Sequence, residues 1–205
     1  MGKWIAIGVV VLLILMAWVS YNGLVTKSQA VDAQWAQVEN VYQRRADLVP
    51  NLVATVAGAA NFEKSTLTAV TEARASVGRI QVDPRNLPND PESLAKFEEA
   101  QSRLGSALAR LLVVAERYPD LKSNQNFLSL QSQLEGTENR ITVERMRYNE
   151  KAQEYNTSRL KFPRVMFANL LGFRDKAYFK AQAGAEQAPK IRPEDFGAPA
   201  TQPSR

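Results

Sequence analysis

The chain has 205 residues, with 26 basic and 21 acidic side chains, a formal charge of +5, and neither histidine nor cysteine. An imidazole base, a thiolate nucleophile, a Cys/His zinc site and a disulfide are therefore excluded, while a cysteine-free chain tolerates either redox compartment. The two signs of charge are interspersed as on solvated helix faces rather than gathered in a basic stripe, so nucleic-acid binding is not expected.

Residues 4–19 (WIAIGVVVLLILMAWV) carry no charge. As a helix they span about 24 Å, and extension to Tyr21 or Val25 reaches the ~30 Å hydrocarbon thickness of a bilayer. Lys3 precedes the run, and Trp4, Trp18 and Tyr21 fall at the two interfacial levels. The run is longer than the roughly 7–15 apolar residues of a signal peptide, and AWVSYNG offers no small-x-small cleavage pattern. Residues 1–21 are therefore expected to be an uncleaved transmembrane anchor. Lys3 and Lys27 balance across it, so the flanks assign no side of the membrane to the domain.

Residues 31–77 hold the longest periodic stretch. Val31, Trp35, Val38, Tyr42, Arg45, Val49, Leu52, Val56, Ala59, Glu63, Thr66, Val70, Ala73 and Val77 alternate by threes and fours, which places them along one helix face about 70 Å long. Pro50 interrupts it. Val49 is a poor N-cap and the seam continues in phase through Leu52 and Val56, so the reading is a kinked continuous helix, with Gly58 and Asn61 as a second weak point. Residues 79–91 (RIQVDPRNLPNDP) read as a loop. Asp90, Pro91 and Glu92 then supply cap, N1 proline and first-turn acid for a second helix. Its seam is Leu94, Phe97, Gln101, Leu104, Leu108, Leu111, Ala115 and Tyr118, and Pro119 ends it. A third helix aligns Phe127, Leu130, Leu134, Ile141, Tyr148, Ala152 and Tyr155, with Glu138 and Arg145 also at seam positions, and breaks at Pro163.

The expected fold is all-α. An N-terminal transmembrane helix continues into an elongated antiparallel up-down-up bundle of long helices over residues 22–180, with a short C-terminal helix. Residues 181–205, rich in Ala, Pro, Gln and Gly, read as a flexible tail. Since the second and third helices are shorter than the first, Val31, Trp35 and Val38 are expected to lack a cover and to meet the same residues of neighbouring copies. Three passes also put residues 163–180 far from the anchor. There Phe167, Leu170, Leu171 and Phe173 are expected to cap the bundle's far end or join neighbours, with contact to a second or curved membrane, or to a partner protein, as the alternatives.

Arg44, Arg45 and Asp47 precede the kink at Pro50. Arg44 and Asp47 can pair on one turn, and Arg45, on the seam, needs Glu138, Glu144 or Asp47. With Arg145 these form an expected structural ion network that sets helix register. The alternatives are an exposed interaction or anion site at the kink, and a catalytic carboxylate pair for which no nucleophile or substrate is specified. No catalytic residue, metal ligand or cofactor site is expected.

Two blocks carry a family resemblance. YNGLVTKSQAVDAQWAQVENVYQRRADLVPNLVATV resembles the N-terminal signature of the LemA family, and YNTSRLKFPRVMFANLLGFRDKAYF its C-terminal signature, so the likeness runs from Tyr21 to about Phe179. The resemblance implies a bacterial single-anchor membrane protein with a long-helix bundle. It also implies kinship with proteins tied to magnetosome membrane formation, in a family mostly without an assigned activity. The usual family description places a short N-terminus outside and the helical domain in the cytoplasm. The functional expectation is a non-enzymatic, single-pass protein of the bacterial inner membrane that self-associates and acts as a scaffold or organiser. The alternative is an adaptor for another membrane protein, such as a protease or envelope-stress component.

Overall fold

The computed structural model describes residues 2–79 and 84–180. The tail expected over 181–205 lies outside them. Helix α1, Gly2–Ala57, is a single helix of 56 residues, about 84 Å long at 1.5 Å per residue. It is long and apolar enough to cross a membrane, and Trp4, Val10, Leu15 and Val19 of that part are exposed. From Ser20 onward one face turns inward: Leu24, Val31, Trp35, Val38, Tyr42, Arg45, Val49, Leu52 and Val56 are buried. The alternation of threes and fours from Val31 is the coiled-coil period, which keeps one stripe facing its neighbours.

Pro50 stays inside α1 and on its exposed side. A proline at 50 supplies no N–H for the carbonyl of residue 46. That carbonyl is satisfied from outside, because Arg74 Nε donates to Ala46 O over 3.1 Å. The donor comes from α2, Lys64–Gly78, which therefore runs back down α1. Between them the chain turns at Asn61, whose φ is +62°, a left-handed conformation that asparagine tolerates better than most residues. The Asn61 carbonyl accepts from Tyr118 Oη at 3.0 Å, and the Phe62 and Tyr118 rings lie 4.9 Å apart.

After a 3-10 turn, Pro84–Asn89, α3 (Pro91–Ala115) rises again. Asp90 caps it by accepting from Glu92 N, with Pro91 in the first turn, as its sequence predicts. Phe97 meets Trp35 and Tyr42 edge-on at 5.8 and 5.1 Å, while Arg45 reaches Gln101. Higher numbers on α1 thus meet higher numbers on α3, and the two run parallel. A short helix α4, Pro119–Lys122, turns the chain. Helix α5, Gln125–Leu160, is capped by Asn124 accepting from Asn126 N and Phe127 N. It descends beside α1, with Glu138 at Arg45, Glu144 at Gln34 and Glu154 at Lys27. Helix α6, Arg164–Ala168, and an extended strap over residues 173–180 complete the described chain.

The elongated helical bundle expected from the sequence is present, but its path has four long passes, not three. The correction lies at residues 58–63. A seam in phase across a break is equally consistent with one long helix and with two amphipathic helices folded on each other, since each buries the same stripe. The helix continues through Pro50, as expected, and the weak point at Gly58 and Asn61 is where it reverses instead of running on to Val77. The extra reversal has two consequences. Residues 163–180 lie at the anchor's end of the bundle rather than its far end: Arg164 sits against Gly23 and Phe173 against Tyr21 at 5.7 Å. And Val31, Trp35 and Val38 are not left open, at 0%, 3% and 0% exposed, because α5 and the strap reach down far enough to cover them. A copy-to-copy contact through those three residues is thereby overturned.

The Pro50–Arg74 relation is testable by a double-mutant cycle. Arg74→Met should destabilise the protein when Pro50 is present and much less in a Pro50→Ala background, where the substituted alanine supplies its own N–H to Ala46 O. The expected coupling in urea unfolding is at least roughly 0.5 kcal/mol, and additive effects would contradict the assignment.

Candidate functional site: a polar layer and a clamped base

The core is divided in two. A lower cluster runs from Leu24 to Tyr42 on α1 with Leu94, Ile141, Tyr148, Ala152, Tyr155 and Phe179. An upper cluster gathers Val49, Leu52, Val56, Val70, Leu104, Leu108, Leu111 and Leu134. Arg45 lies between them, 3% exposed. Its Nη1 donates to Glu138 Oε1 at 2.7 Å and its Nη2 to Gln101 O at 3.1 Å and to the Gln101 side-chain oxygen. Its guanidinium also stands 5.1 Å from the Tyr42 ring centre. Arg45, Gln101 and Glu138 occupy seam positions on three different helices. A one-heptad slip of any helix would leave a buried charge unpaired, so this layer fixes register as a polar position does in a coiled coil.

The other members of the expected network are placed differently. Arg44 and Asp47 are exposed, and the Asp47 carboxylate accepts from Gln43. Glu144 accepts from Gln34 at 2.6 Å and pairs with Arg147 at 2.9 Å. Arg145 pairs with Glu98 at 2.6 Å, donates to Lys180 O and lies 4.6 Å from the Phe179 ring centre. Burial raises the Glu98 carboxyl above the usual carboxylate range against the pull of Arg145. Glu98 and Arg145, with Arg45, Gln101 and Glu138, line an open groove of about 640 Å³ between α3 and α5. Among the described residues, no group of three or more Asp or Glu side chains is arranged to hold a metal ion.

The base of the bundle is closed by the strap, and two Tyr-Asn pairs on α5 hold it. Tyr155 Oη donates to Arg174 O at 3.0 Å. Asn156 brackets Lys176, accepting from its N–H at 2.9 Å and donating to its carbonyl at 2.9 Å. Seven residues earlier the pattern repeats. Tyr148 Oη donates to Ala177 O at 2.9 Å, and Asn149 brackets Phe179 in the same two-way manner, both at 2.9 Å. The spacing follows from geometry. Seven helical residues rise about 10.5 Å and three extended residues about 10 Å, so a heptad on α5 matches a triplet on the strap. Extended backbone buried here needs partners for both of its polar groups, and the asparagine amide supplies a donor and an acceptor side by side. Burial pushes the Tyr148 and Tyr155 hydroxyls up from the ordinary tyrosine value, so both remain protonated donors at neutral pH.

The strap carries Phe179 into the lower core, stacked on Trp35 at 5.8 Å and edge-on to Tyr148 at 5.3 Å. Buried Lys176 pairs with Asp32 of α1 at 2.8 Å. Arg159 reaches both Asn169 at 3.0 Å and Asp175, fixing the turn that leads into the strap. Of the expected interaction residues, Phe167 and Phe173 are half-buried, whereas Leu170 and Leu171 are 84% and 41% exposed. Sequence reasoning missed Asn149, Asn156, Lys176 and Asp32. The signal was the Tyr-Asn dipeptide repeated at seven residues.

A long apolar helix that continues into a closed helical bundle, with its C-terminal strap clamped at the junction, defines a membrane-associated helical-bundle protein. The profile of the LemA family matches residues 34–192, most of the chain, and the chain belongs to that family. It is similar to Magnetosome protein MamQ 2 of Paramagnetospirillum magneticum, 28% identical over 191 residues covering 86% of this chain and 70% of the relative. Magnetosome protein MamQ of Magnetospirillum gryphiswaldense is 27% identical over the same shares. Protein LemA of Metamycoplasma hominis is 24% identical over 160 residues, 78% of this chain and 68% of the relative.

Asn156→Leu tests the clamp. It leaves the Lys176 N–H and carbonyl buried without partners, at an expected cost of about 2 kcal/mol. Amide hydrogen exchange should accelerate at residues 174–180 and stay unchanged in α3, and equal protection of the strap in both proteins would contradict the clamp.

Proposed function

We propose that the protein is a single-pass, non-enzymatic stalk of the bacterial inner membrane, a scaffold that holds a stiff, mixed-charge helical surface at a fixed height and direction from the bilayer. The observation that carries this reading is the continuity of α1, whose apolar length runs without a break into the buried seam of the bundle. No hinge separates membrane from domain, so the bundle's orientation is set by that of the span. From Ser20 to Ala57 the helix rises about 55 Å. Its inward face is taken up by packing and by the Arg45 layer, and what it offers to others is its outer surface. That relatives are magnetosome proteins supports an organising role at a membrane.

Self-association belongs to this reading through the outer faces, since Val31, Trp35 and Val38 are covered. The open groove lined by Tyr42, Glu98, Gln101 and Arg145 favours the second reading, an adaptor that receives a segment of another membrane protein. Cross-linking in intact membranes, followed by mass measurement, separates the two. The scaffold reading expects cross-linked species at multiples of the chain's own mass. The adaptor reading expects one defined heterologous mass, lost on Arg145→Glu. Monomer alone at native abundance would contradict both.

A further inference from the structure

Among the described residues outside the anchor, the two most exposed large apolar side chains, Leu170 and Phe162, lie where α5 ends, with Met166 between them in sequence. Phe162 is 74% exposed, Met166 60% and Leu170 84%. Met166 lies in α6, two residues from buried Ala168, with Phe162 just before the helix and Leu170 just after it. In a soluble bundle so much exposed apolar surface within nine residues is unusual. Its position supplies the occupant. Phe162 and Pro163 line the same crevice as Leu15, Met16 and Val19 of α1, the exposed apolar turns that end the membrane-length run. Trp18 and Tyr21, exposed at the same level, have the character of an interfacial belt.

Cations adjoin these apolar side chains. Arg164 lies beside Gly23, where an added Cβ would come within 2.8 Å of its Nη2, and it donates to Ser158 Oγ at 2.6 Å. Lys161 and Arg164 also border the crevice of Leu15 and Val19, and with Lys27 and Glu154 they line a second one. Gly23 stands about 6 Å further along α1 than Val19. Apolar side chains and cations thus adjoin where the membrane-length run ends, the composition of an interfacial amphipathic element.

We propose that residues 160–171 form a second membrane contact of the same chain, a wedge seated in the bundle-side leaflet of the bilayer that α1 crosses. Phe162, Met166 and Leu170 enter the acyl-headgroup boundary, and Lys161 and Arg164 meet anionic lipid phosphates. Two contacts on one leaflet, the span and the wedge, resist rotation and tilt where a span alone would not. Added volume in only one leaflet also favours curved over flat bilayer. The inference rests on the anchored reading of α1 and goes beyond it in assigning the C-terminal block to lipid.

The absence of native cysteine permits a direct test on the full chain. Single cysteines replace Phe162, Met166 or Leu170 (F162C, M166C, L170C), with Val10→Cys as the span reference and Leu128→Cys as the far-end reference. Each is labelled with an environment-sensitive fluorophore and reconstituted in phosphatidylcholine–phosphatidylglycerol vesicles containing lipids brominated at known depths. The expected result is blue-shifted, bromine-quenched emission at 10, 162, 166 and 170 and water-like emission at 128. The 162, 166 and 170 signals should be quenched most by shallow bromines and should weaken with Lys161→Gln. Quenching at 10 with water-like emission at 162, 166 and 170 overturns the proposal and leaves the anchor standing. Water-like emission at 10 as well removes the anchored reading beneath it. Shielding at 162–170 that arises in native membranes but not in lipid alone identifies a protein occupant and also overturns the proposal.

Discussion

The described chain beyond residue 57 takes its direction from a turn at Asn61. One residue with φ of +62°, its carbonyl held by the Tyr118 hydroxyl, converts what would be a continuous rod into a helical hairpin. Because α1 opens with its apolar, membrane-length run, the number of reversals decides which end of the bundle receives the C-terminal block. Three long passes would leave it about 55 Å away; four bring it home. The contacts of α5 with α1 record the return in order, Glu138 at Arg45, Glu144 at Gln34 and Glu154 at Lys27.

Two devices then hold the returned chain in register, and they work by different physics. The Arg45 layer is specific because a buried guanidinium is costly without its partners, so misalignment is penalised more than alignment is rewarded. The strap is specific because its backbone polar groups are satisfied two at a time by asparagine amides whose seven-residue spacing matches three extended residues. Around that ladder, Lys176 links the strap to Asp32 of α1 and Phe179 completes the aromatic cluster on Trp35. The base of the bundle, where the apolar run of α1 ends, is therefore tied together by α5, the strap and α1 at once.

Much of the architecture was legible in the sequence. The apolar run, the seams of α1, α3 and α5, the Asp90 cap and the breaks at Pro119 and Pro163 each follow from local rules of period and capping. The chain path was not, because hydrophobic period reports which face is buried and not what buries it. The seam reads through Pro50 and the helix does continue there, with a distant arginine, Arg74, donating to the carbonyl the proline leaves open, whereas the reversal at residues 58–63 is marked in the sequence only by Gly58 and Asn61. The same limit applied to the site. Arg45 with Glu138 could be named because both sit on seams, whereas Arg44 and Asp47 lie off the stripe, by one and two residues, and are exposed. Asn149 and Asn156 also lie off the apolar stripe, and their role depends on an extended segment twenty to thirty residues further along the chain.

The central claim is that α5 ends beside the anchor. A spin-label pair at Val19→Cys and Phe162→Cys in the full, membrane-reconstituted chain measures this directly. The four-pass fold predicts a distance too short for pulsed dipolar methods and broadened continuous-wave spectra at the close approach of adjacent helices. A resolved distance of roughly 50 Å, the length of one further pass, would contradict it.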